Sequence, residues 1–287
     1  MATITKPPDD AAPGADTPRS AIQRLHDGLV RPLTAPLLGF FETFGRILLL
    51  LGQAAYWFVR PPYRWRKYAQ ALEFVGVGSL SIILMVGLFT GAAFSLQTVT
   101  VFRMFSMESL IGPTVAMALA RELAPVLTAL MLTARAGAAM ATELGSMRIT
   151  EQIDALQTLA VSPVQYLVVP RVVASIIMAP LLTMVFTLTG ILGAYVVAVG
   201  IMEVDHGWFV SNTEWMLDAW DLNQGLIKAA FFGLTLSIIG CQQGFDAKGG
   251  AKGVGLATTQ AVVYSCVTIL MLDYFLSDII FIVYPYE

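Results

Sequence analysis

Two adjacent charged residues, Arg121 and Glu122, lie inside an apolar stretch that extends from about Ser109 to Thr142. An unpaired charge near the centre of a bilayer costs at least about 2.5 kcal/mol, so such a residue needs a polar partner or a polar path. Neighbouring residues on an α-helix point about 100° apart, so the two side chains must face different surroundings. The spacing therefore predicts a polar site inside this stretch.

Two interpretations of that site stay open. In the structural interpretation, Arg121 extends to a membrane interface while Glu122 pairs with a basic residue such as Arg135. In the functional interpretation, Glu122 lies beside a central cavity, where Pro125 weakens the helix and a charged gate can move.

The composition indicates that these residues belong to a membrane protein. Of 287 residues, 56% are hydrophobic and only 13% are charged, which is more apolar and less charged than a soluble domain. The net charge of −3 and the lack of a long basic run argue against nucleic acid as a partner. The sequence has no phosphate-binding G-x-x-x-x-G-K-[ST] loop and no zinc or serine-hydrolase motif, so we expect no enzymatic activity from this chain itself.

The distribution of apolar residues predicts an all-α membrane protein with about five transmembrane helices. Residues 1–21 are polar and rich in proline, which predicts a disordered cytoplasmic tail. Residues 22–67 mix charged and apolar side chains, which predicts interfacial helices that stop at Arg60-Pro61-Pro62. The remaining part, 68–287, contains the predicted spans, at about 74–102, 109–142, 172–202, 226–245 and 254–283.

The charges in the loops predict the orientation of the chain. Cytoplasmic loops tend to carry the excess of Lys and Arg. Basic residues precede the first predicted span, flank the loop after the second and occupy the loop after the fourth, whereas the segment after the third is acidic and contains three tryptophans. We therefore expect the N-terminus in the cytoplasm and the C-terminus on the outer face.

The segment between the second and third predicted spans is amphipathic at helical spacing. Ile149, Ile153 and Leu156 recur on one side, while Glu151 and Asp154 fall elsewhere around the helix. A helix that merely rests on the membrane also has an apolar side, but such helices usually carry Lys and Arg rather than acids. The pattern favours a short cytoplasmic helix that contacts a protein partner.

Gly87 and Gly91 form a G-x-x-x-G pattern in the first predicted span. Small residues at this spacing let a second helix approach closely in a membrane. Because the same spacing arises by chance in glycine-rich helices, specific helix packing and coincidence both remain open.

Several longer motifs resemble those of a known family. They are Ala120-Arg-Glu-Leu-Ala-Pro-Val126, Ala134-Arg-Ala-Gly-Ala138, Thr142-Glu-Leu-Gly-Ser-Met-Arg-Ile-Thr-Glu-Gln-Ile-Asp154 and Gly253-Val-Gly-Leu-Ala-Thr-Thr-Gln-Ala-Val262. These segments closely resemble the MlaE family of ABC transporter permeases. The resemblance covers the chain from roughly Phe44 to its end.

The resemblance implies a homodimeric permease of the bacterial inner membrane that moves phospholipid or a related lipid between membranes. It implies two cytoplasmic ABC ATPase subunits, which bind ATP and Mg²⁺, and an outer-face lipid-binding protein with an MCE domain. No cofactor is expected on this chain. The resemblance further implies that the segment Met147 to Leu159 is the helix that couples to the ATPase, with Met147, Thr150, Glu151, Gln152, Asp154 and Leu156 as its contact residues.

The same resemblance implies that lipid tails lie between the first span and its neighbours near the dimer axis. Phe94, Val101 and Phe105 share one face of the predicted helix and make a stripe apolar enough for acyl chains, although such a stripe is also typical of ordinary packing. The expected lipid-binding and gating set is Phe94, Val101, Phe105, Arg121, Glu122 and Leu123.

Two other functions remain open from the residues, a secondary transporter of small solutes and a non-catalytic membrane scaffold. A secondary transporter would usually show inverted repeats with broken helices at matching positions, and we find no convincing repeat. A scaffold would not need a charged pair within a span.

Overall fold

The computed structural model describes residues 31–61 and 64–283. These residues contain no β-strand, and five helical stretches are long and apolar enough to cross a membrane. The prediction of an all-α membrane protein with five spans is therefore confirmed. The predicted tail, residues 1–21, lies outside the described residues. We call the stretches spans 1 to 5: Trp65–Met104, Glu108–Ile149, Val164–Ile201, Ala219–Phe245 and Gly250–Val283.

Spans 2 and 3 are interrupted by short π-helical turns, whereas span 4 and span 5 are each one α-helix. The turns are Leu119–Leu123 and Thr133–Gly137 in span 2, and Val164–Val168 and Val196–Ile201 at the two ends of span 3. The α-helices of the described ranges are α1 Arg31–Phe58, α2 Trp65–Val75, α3 Val77–Met104, α4 Ile111–Ala118, α5 Ala124–Leu132, α6 Ala138–Ile149, α7 Gln152–Thr158, α8 Val169–Tyr195, α9 His206–Met216, α10 Ala219–Phe245 and α11 Gly250–Val283.

The spans begin earlier than hydropathy alone predicts. Span 4 begins at Ala219 rather than at residue 226, because Asp218 caps its first turn. The Asp218 side chain accepts from the N–H of Ala219 at 2.7 Å, and the side chain of Asp221 accepts from the N–H of Asp218 at 3.1 Å. Apolar composition locates the part of a helix that lies in lipid, whereas capping residues set its ends.

The helix before span 1, α1, ends at Phe58, just before the predicted stop at Arg60 and Pro61. Leu50 and Ala54 in its last part are buried in a cluster that also contains Leu144 of span 2. Residues 22–30 of the predicted interfacial segment lie outside the described residues.

Span 4 is the most buried of the five spans. In its most apolar stretch of 18 residues 67% are buried, against 6% in that of span 5. Glycines allow its neighbours to approach closely. A Cβ on Gly225 would overlap the carbonyl of Ala120 in span 2, and a Cβ on Gly233 would overlap the carbonyl of Ser175 in span 3. Span 4 therefore touches both neighbours backbone to backbone.

The G-x-x-x-G pattern of span 1 faces span 3. A Cβ on Gly91 would overlap the backbone of Gly190, and the position of Gly87 is also in close contact with span 3. One turn further along, the Ser95 hydroxyl donates to the carbonyl of Ala194 at 3.0 Å. The structure thus places both glycines in a specific helix contact.

Between spans 3 and 4, α9 packs against the start of span 2. Pro113 has no N–H to donate to the carbonyl of Ser109, and Asn212 Nδ2 donates to that oxygen at 2.9 Å instead. Trp208 and Trp215 are exposed, as expected of side chains that lie at a membrane interface.

We expect Gly91→Ala to lower the thermal stability of the protein, because the added Cβ would overlap the backbone of Gly190 and force spans 1 and 3 apart. Overpacking of this kind typically costs about 1–3 kcal/mol. Gly255→Ala in span 5 is the matched control, since a Cβ there would meet nothing within 4 Å. Thermal unfolding of the purified protein in detergent tests this, and equal Tm values for the two variants would contradict the contact.

Candidate functional site

The ammonium group of Lys228 lies inside the bundle, with 1% of its side chain exposed. Its Nζ is 2.8 Å from Glu122 Oε1 of span 2 and 3.2 Å from Asp273 Oδ1 of span 5. It also donates to the hydroxyl of Ser277 at 2.6 Å. One buried cation on span 4 therefore joins span 2 to span 5. We call these four residues the charge cluster.

A proline in span 2 makes a backbone carbonyl available to the same cation. Pro125 has no N–H, so the carbonyl of Arg121 lacks its usual α-helical donor four residues later. Lys228 Nζ donates to that oxygen at 3.2 Å. The π-helical turn Leu119–Leu123 contains Arg121 and ends two residues before Pro125. Span 2 is thus irregular where Arg121 and Glu122 lie.

Arg121 has its own partner on span 4. Its Nε donates to Asp221 Oδ1 at 2.8 Å, and its Nη2 lies 2.7 Å from the same oxygen. Asp221 is only 2% exposed, and its second oxygen accepts from the N–H of Asp218 at the start of the span. Arg121 and Glu122 therefore pair with two different residues of one neighbouring helix.

Glu122 pairs with a basic residue, as the structural interpretation expects, but that residue is Lys228 and not the suggested Arg135. Arg135 Nη1 donates to the carbonyl of Phe74 at 2.7 Å and to the hydroxyl of Ser79 at 2.9 Å. Its guanidinium also lies 5.2 Å from the centroid of the Phe74 ring. At 1.5 Å per residue, Arg135 is about 20 Å further along the helix than Glu122, which is too far for an ion pair.

Sequence reasoning does not select Lys228 or Asp221, although both are central to the site. A signal is present, because Lys228 is a lone cation in an apolar run, as Arg121 is. A span that starts at residue 226 leaves Asp221 outside and Lys228 at its end, where a charged residue is ordinary. The capped extension of span 4 brings both into the packed bundle.

An open, mostly apolar groove of about 590 Å³ runs along span 1 and reaches Leu123, the residue after Glu122. Phe94 and Leu123, two members of the expected lipid-binding set, line it. Val101 and Phe105 do not line it; they lie nearer the end of span 1 and are exposed. The shared helical face predicted for the stripe therefore extends beyond the groove.

Two charged residues that precede Leu123 in span 2 are accessible. The side chain of Arg121 is 27% exposed and that of Glu122 is 49% exposed, whereas Lys228 is enclosed. Such a site can hold the polar part of a molecule whose apolar part lies in the groove. Within residues 31–61 and 64–283, no three His, Cys, Asp or Glu side chains are placed to hold a metal ion.

The predicted coupling segment, Met147 to Leu159, is not one helix. α6 ends at Ile149, and Glu151 then adopts a left-handed conformation with a φ of 58° before α7 begins. Left-handed residues break an α-helix, so the direction of the chain changes at this turn. Met147 therefore belongs to the end of span 2.

One side of α7 is attached to the bundle and the other is open. Ile153 is 3% exposed and belongs to a cluster with Leu144 of span 2 and Leu167 of span 3. Across the turn, Arg148 Nη1 donates to Asp154 Oδ1 at 2.6 Å. Of the expected coupling residues, Met147 and Leu156 are partly buried, whereas Thr150, Glu151, Gln152 and Asp154 are exposed.

A family model described as Permease MlaE matches residues 68–279, a range that includes spans 2 to 4 and most of spans 1 and 5. The chain belongs to the MlaE permease family. The resemblance drawn from the motifs of this MlaE-family chain is therefore confirmed.

Three relatives are similar to this chain over most of its length. A probable ABC transporter permease protein of Rickettsia felis is 41% identical over 242 residues, which is 84% of this chain and 93% of the relative. The intermembrane phospholipid transport system permease protein MlaE of Haemophilus influenzae is 35% identical over 256 residues, 88% of this chain and 97% of the relative. The chloroplastic protein TRIGALACTOSYLDIACYLGLYCEROL 1 of Arabidopsis thaliana is 36% identical over 233 residues, 81% of this chain and 67% of the relative.

We expect Lys228→Met to destabilise this MlaE-family chain, because Glu122 and Asp273 would lose the cation they share. Removing one partner of a buried ion pair typically costs about 3–5 kcal/mol, and the partial exposure of Glu122 favours the lower end. The Tm of the purified chain in detergent measures the loss. Lys252→Met, at an exposed lysine of span 5, is the control and should leave the Tm unchanged.

Addition of Glu122→Gln and Asp273→Asn to Lys228→Met should recover most of the lost stability, since two neutral side chains need no cation. A triple variant no more stable than Lys228→Met would show that charge pairing does not hold the cluster.

Proposed function

We propose that this chain is the permease subunit of an ATP-driven transporter that moves phospholipid or a related lipid between the inner membrane and an outer-face lipid-binding partner with an MCE domain. The observation that carries the proposal is the apolar groove that reaches Leu123, because the accessible charged residues Arg121 and Glu122 directly precede Leu123 in span 2. The name of the Haemophilus influenzae relative, a phospholipid transport permease, supports a lipid as the substrate.

An amphiphilic substrate matches both the apolar groove and the charged residues of span 2. Acyl chains would lie along Phe89 and Phe94, which are apolar walls of the groove. The phosphate of a headgroup would approach Arg121, which is more accessible than Lys228. Lys228 is enclosed by its partners, so it would meet a headgroup only after the cluster opens.

Glu122 is the residue that we propose as the gate. Its ion pair with Lys228 ties span 2 to span 4, and Asp273 extends the tie to span 5. Pro125 and the π-helical turn remove regular α-helical hydrogen bonds at this level of span 2, and helices bend at such points. Closure of the ATPase subunits would thus be able to separate the spans here and open the groove to a headgroup.

We propose that the open side of α7 is the contact for two cytoplasmic ABC ATPase subunits, which would themselves bind the ATP and Mg²⁺. The contact is supported by the exposure of Glu151 and Gln152 and of the apolar Leu159, which is 72% exposed. A displacement of α7 would be transmitted to span 2 through the ion pair between Arg148 and Asp154.

The proposed assembly is a homodimer in the bacterial inner membrane, with the N-terminus in the cytoplasm and the C-terminus on the outer face. Span 5 leaves large apolar side chains such as Leu270 and Phe275 exposed in the single chain, and in a membrane either lipid tails or a second copy would cover them. The basic loops support the orientation.

The charge cluster also favours a second candidate, a secondary transporter of small solutes. One ammonium group between two carboxylates within the spans can take part in binding a proton or a cation. Transport by such a protein would continue in liposomes that lack the ATPase subunits and ATP, and this separates the two candidates.

We expect Glu122→Gln to preserve assembly with the ATPase subunits but to slow ATP-dependent lipid transfer between liposomes by about tenfold, which corresponds to about 1.4 kcal/mol of lost stabilisation. The amide keeps the shape of the side chain and loses the charge that holds Lys228. Glu108→Gln is the matched control, because it removes a carboxylate from an exposed ion pair with Arg103. Normal transfer together with a marked fall in Tm would show that Glu122 has only a structural role.

Charge reversal at Glu151 and Asp154 to Lys should reduce co-purification of the ATPase subunits and lipid-stimulated ATP hydrolysis. Both carboxylates are exposed on the proposed contact, although Asp154 also pairs with Arg148. Glu151→Lys alone therefore tests the contact without breaking that ion pair. Glu214→Lys, an exposed reversal on α9, is the control, and an equal effect there would contradict a contact at α7.

A further inference from the structure

A crevice at the start of span 1 is lined by three cations, Arg60, Arg64 and Lys67, together with Gln165 and Tyr166. Among residues 31–61 and 64–283, none that lines it is a carboxylate. Within the part of the chain that the structure describes, the three cations also form no ion pair. We call this site the basic crevice.

Aromatic rings and one hydrogen bond hold the basic crevice in shape. The guanidinium of Arg64 lies 4.7 Å from the centroid of the Tyr166 ring, and Lys67 Nζ lies 5.1 Å from the same centroid. The guanidinium of Arg60 lies 4.2 Å from the Tyr56 ring, and the carbonyl of Arg60 accepts from Gln165 Nε2 at 3.0 Å. Cation–π contacts orient these groups but leave their positive charge uncompensated.

Three like charges around one crevice repel each other, and an anion placed between them would relieve that repulsion. Arg64 and Lys67 both contact the Tyr166 ring, and all three cations line the same crevice, so one anion there would be near all of them. Phosphate is the anion that such a set of donors binds best, since arginine binds it in two-point contacts and lysine as a point charge.

A larger cavity of about 460 Å³ adjoins the basic crevice and shares Lys67, Tyr166 and Pro170 with it. Phe74 and Leu167 are among its apolar walls. Its other charged residues, Arg171 and Glu143, already pair with each other at 2.8 Å. An occupant of both spaces would thus have an anionic head and an apolar tail.

The position of the basic crevice also suits a lipid. Trp65, the first residue of span 1, is 77% exposed beside it, as is typical of aromatic residues at a membrane interface. Basic pockets at such a level bind the headgroups of anionic lipids. Val161 and Gln165 of the crevice follow α7 directly, so the site lies at the end of the molecule that carries the coupling segment.

We propose that the cations of the basic crevice bind the phosphate of an anionic phospholipid. Because the crevice itself is only about 30 Å³, the rest of the headgroup and part of an acyl chain would occupy the adjoining cavity of about 460 Å³. This site is separate from the groove at Leu123, shares no lining residue with it, and does not depend on the proposed transport function. The bound lipid connects the start of span 1 to the chain that follows α7.

The test compares binding of phosphatidylglycerol and phosphatidylcholine to the purified, delipidated full-length chain by native mass spectrometry. Phosphatidylglycerol should bind more tightly, and Arg64→Gln with Lys67→Gln should weaken it about tenfold or more, since each cation near a membrane contributes about 1 kcal/mol. The matched control, Lys248→Gln with Lys252→Gln, removes one exposed cation from the loop before span 5 and one from the first turn of that span, and it should change little.

Each other outcome overturns the proposal. No preference for phosphatidylglycerol, or an equal loss in the control variant, would mean diffuse attraction to surface charge. Displacement of the lipid by millimolar inorganic phosphate would indicate a site for free phosphate. Loss of the ATPase subunits with unchanged lipid binding would indicate that the basic crevice docks an acidic protein segment.

A second variant keeps the test decisive if the double substitution impairs folding. Arg60→Gln alone leaves the backbone carbonyl that Gln165 binds, and it should weaken phosphatidylglycerol about fivefold with an unchanged Tm. Unchanged binding in this folded variant would also contradict the proposal.

Discussion

The burial of one ammonium group, that of Lys228, constrains the arrangement of the whole bundle. A charge that has left water must be surrounded by acceptors, and no single helix can supply them all. Glu122 comes from span 2, and Asp273 and Ser277 come from span 5. The three spans must therefore meet at one level. Pro125 of span 2 also leaves the carbonyl of Arg121 without its usual backbone donor, and Lys228 donates to that oxygen.

Close backbone contact makes that meeting possible. Helices in a membrane gain little from the hydrophobic effect, so they associate through packing and polar contacts. Gly225 and Gly233 let span 4 approach spans 2 and 3, and Gly91 does the same between spans 1 and 3. The glycines thus set the distances, while the charge cluster and the pair of Arg121 with Asp221 set the register of the helices.

The polar features lie at two levels of the same framework. Arg121, Glu122 and the apolar groove belong to the level of the charge cluster. The basic crevice and α7 belong to the opposite end, near the start of span 1. Span 2 connects the two levels, since it carries Glu122 in its first half and ends at the turn before α7. Span 2 therefore connects α7 directly to Glu122.

The sequence by itself determined the fold class, the five spans and the family, because apolar stretches long enough to cross a bilayer and long contiguous motifs are properties of neighbouring residues. It also located Arg121 and Glu122, since a charge inside an apolar run is visible without a structure. Their partners could not be read in the same way. Only the tertiary structure selected Lys228 and Asp221 over Arg135, because an ion pair between helices depends on the depth and rotation of each helix, which distant packing contacts and capping residues set. The break at Glu151 and the basic crevice are also visible only in the tertiary structure. A left-handed turn and a crevice lined by segments distant in sequence leave no periodic pattern in the chain.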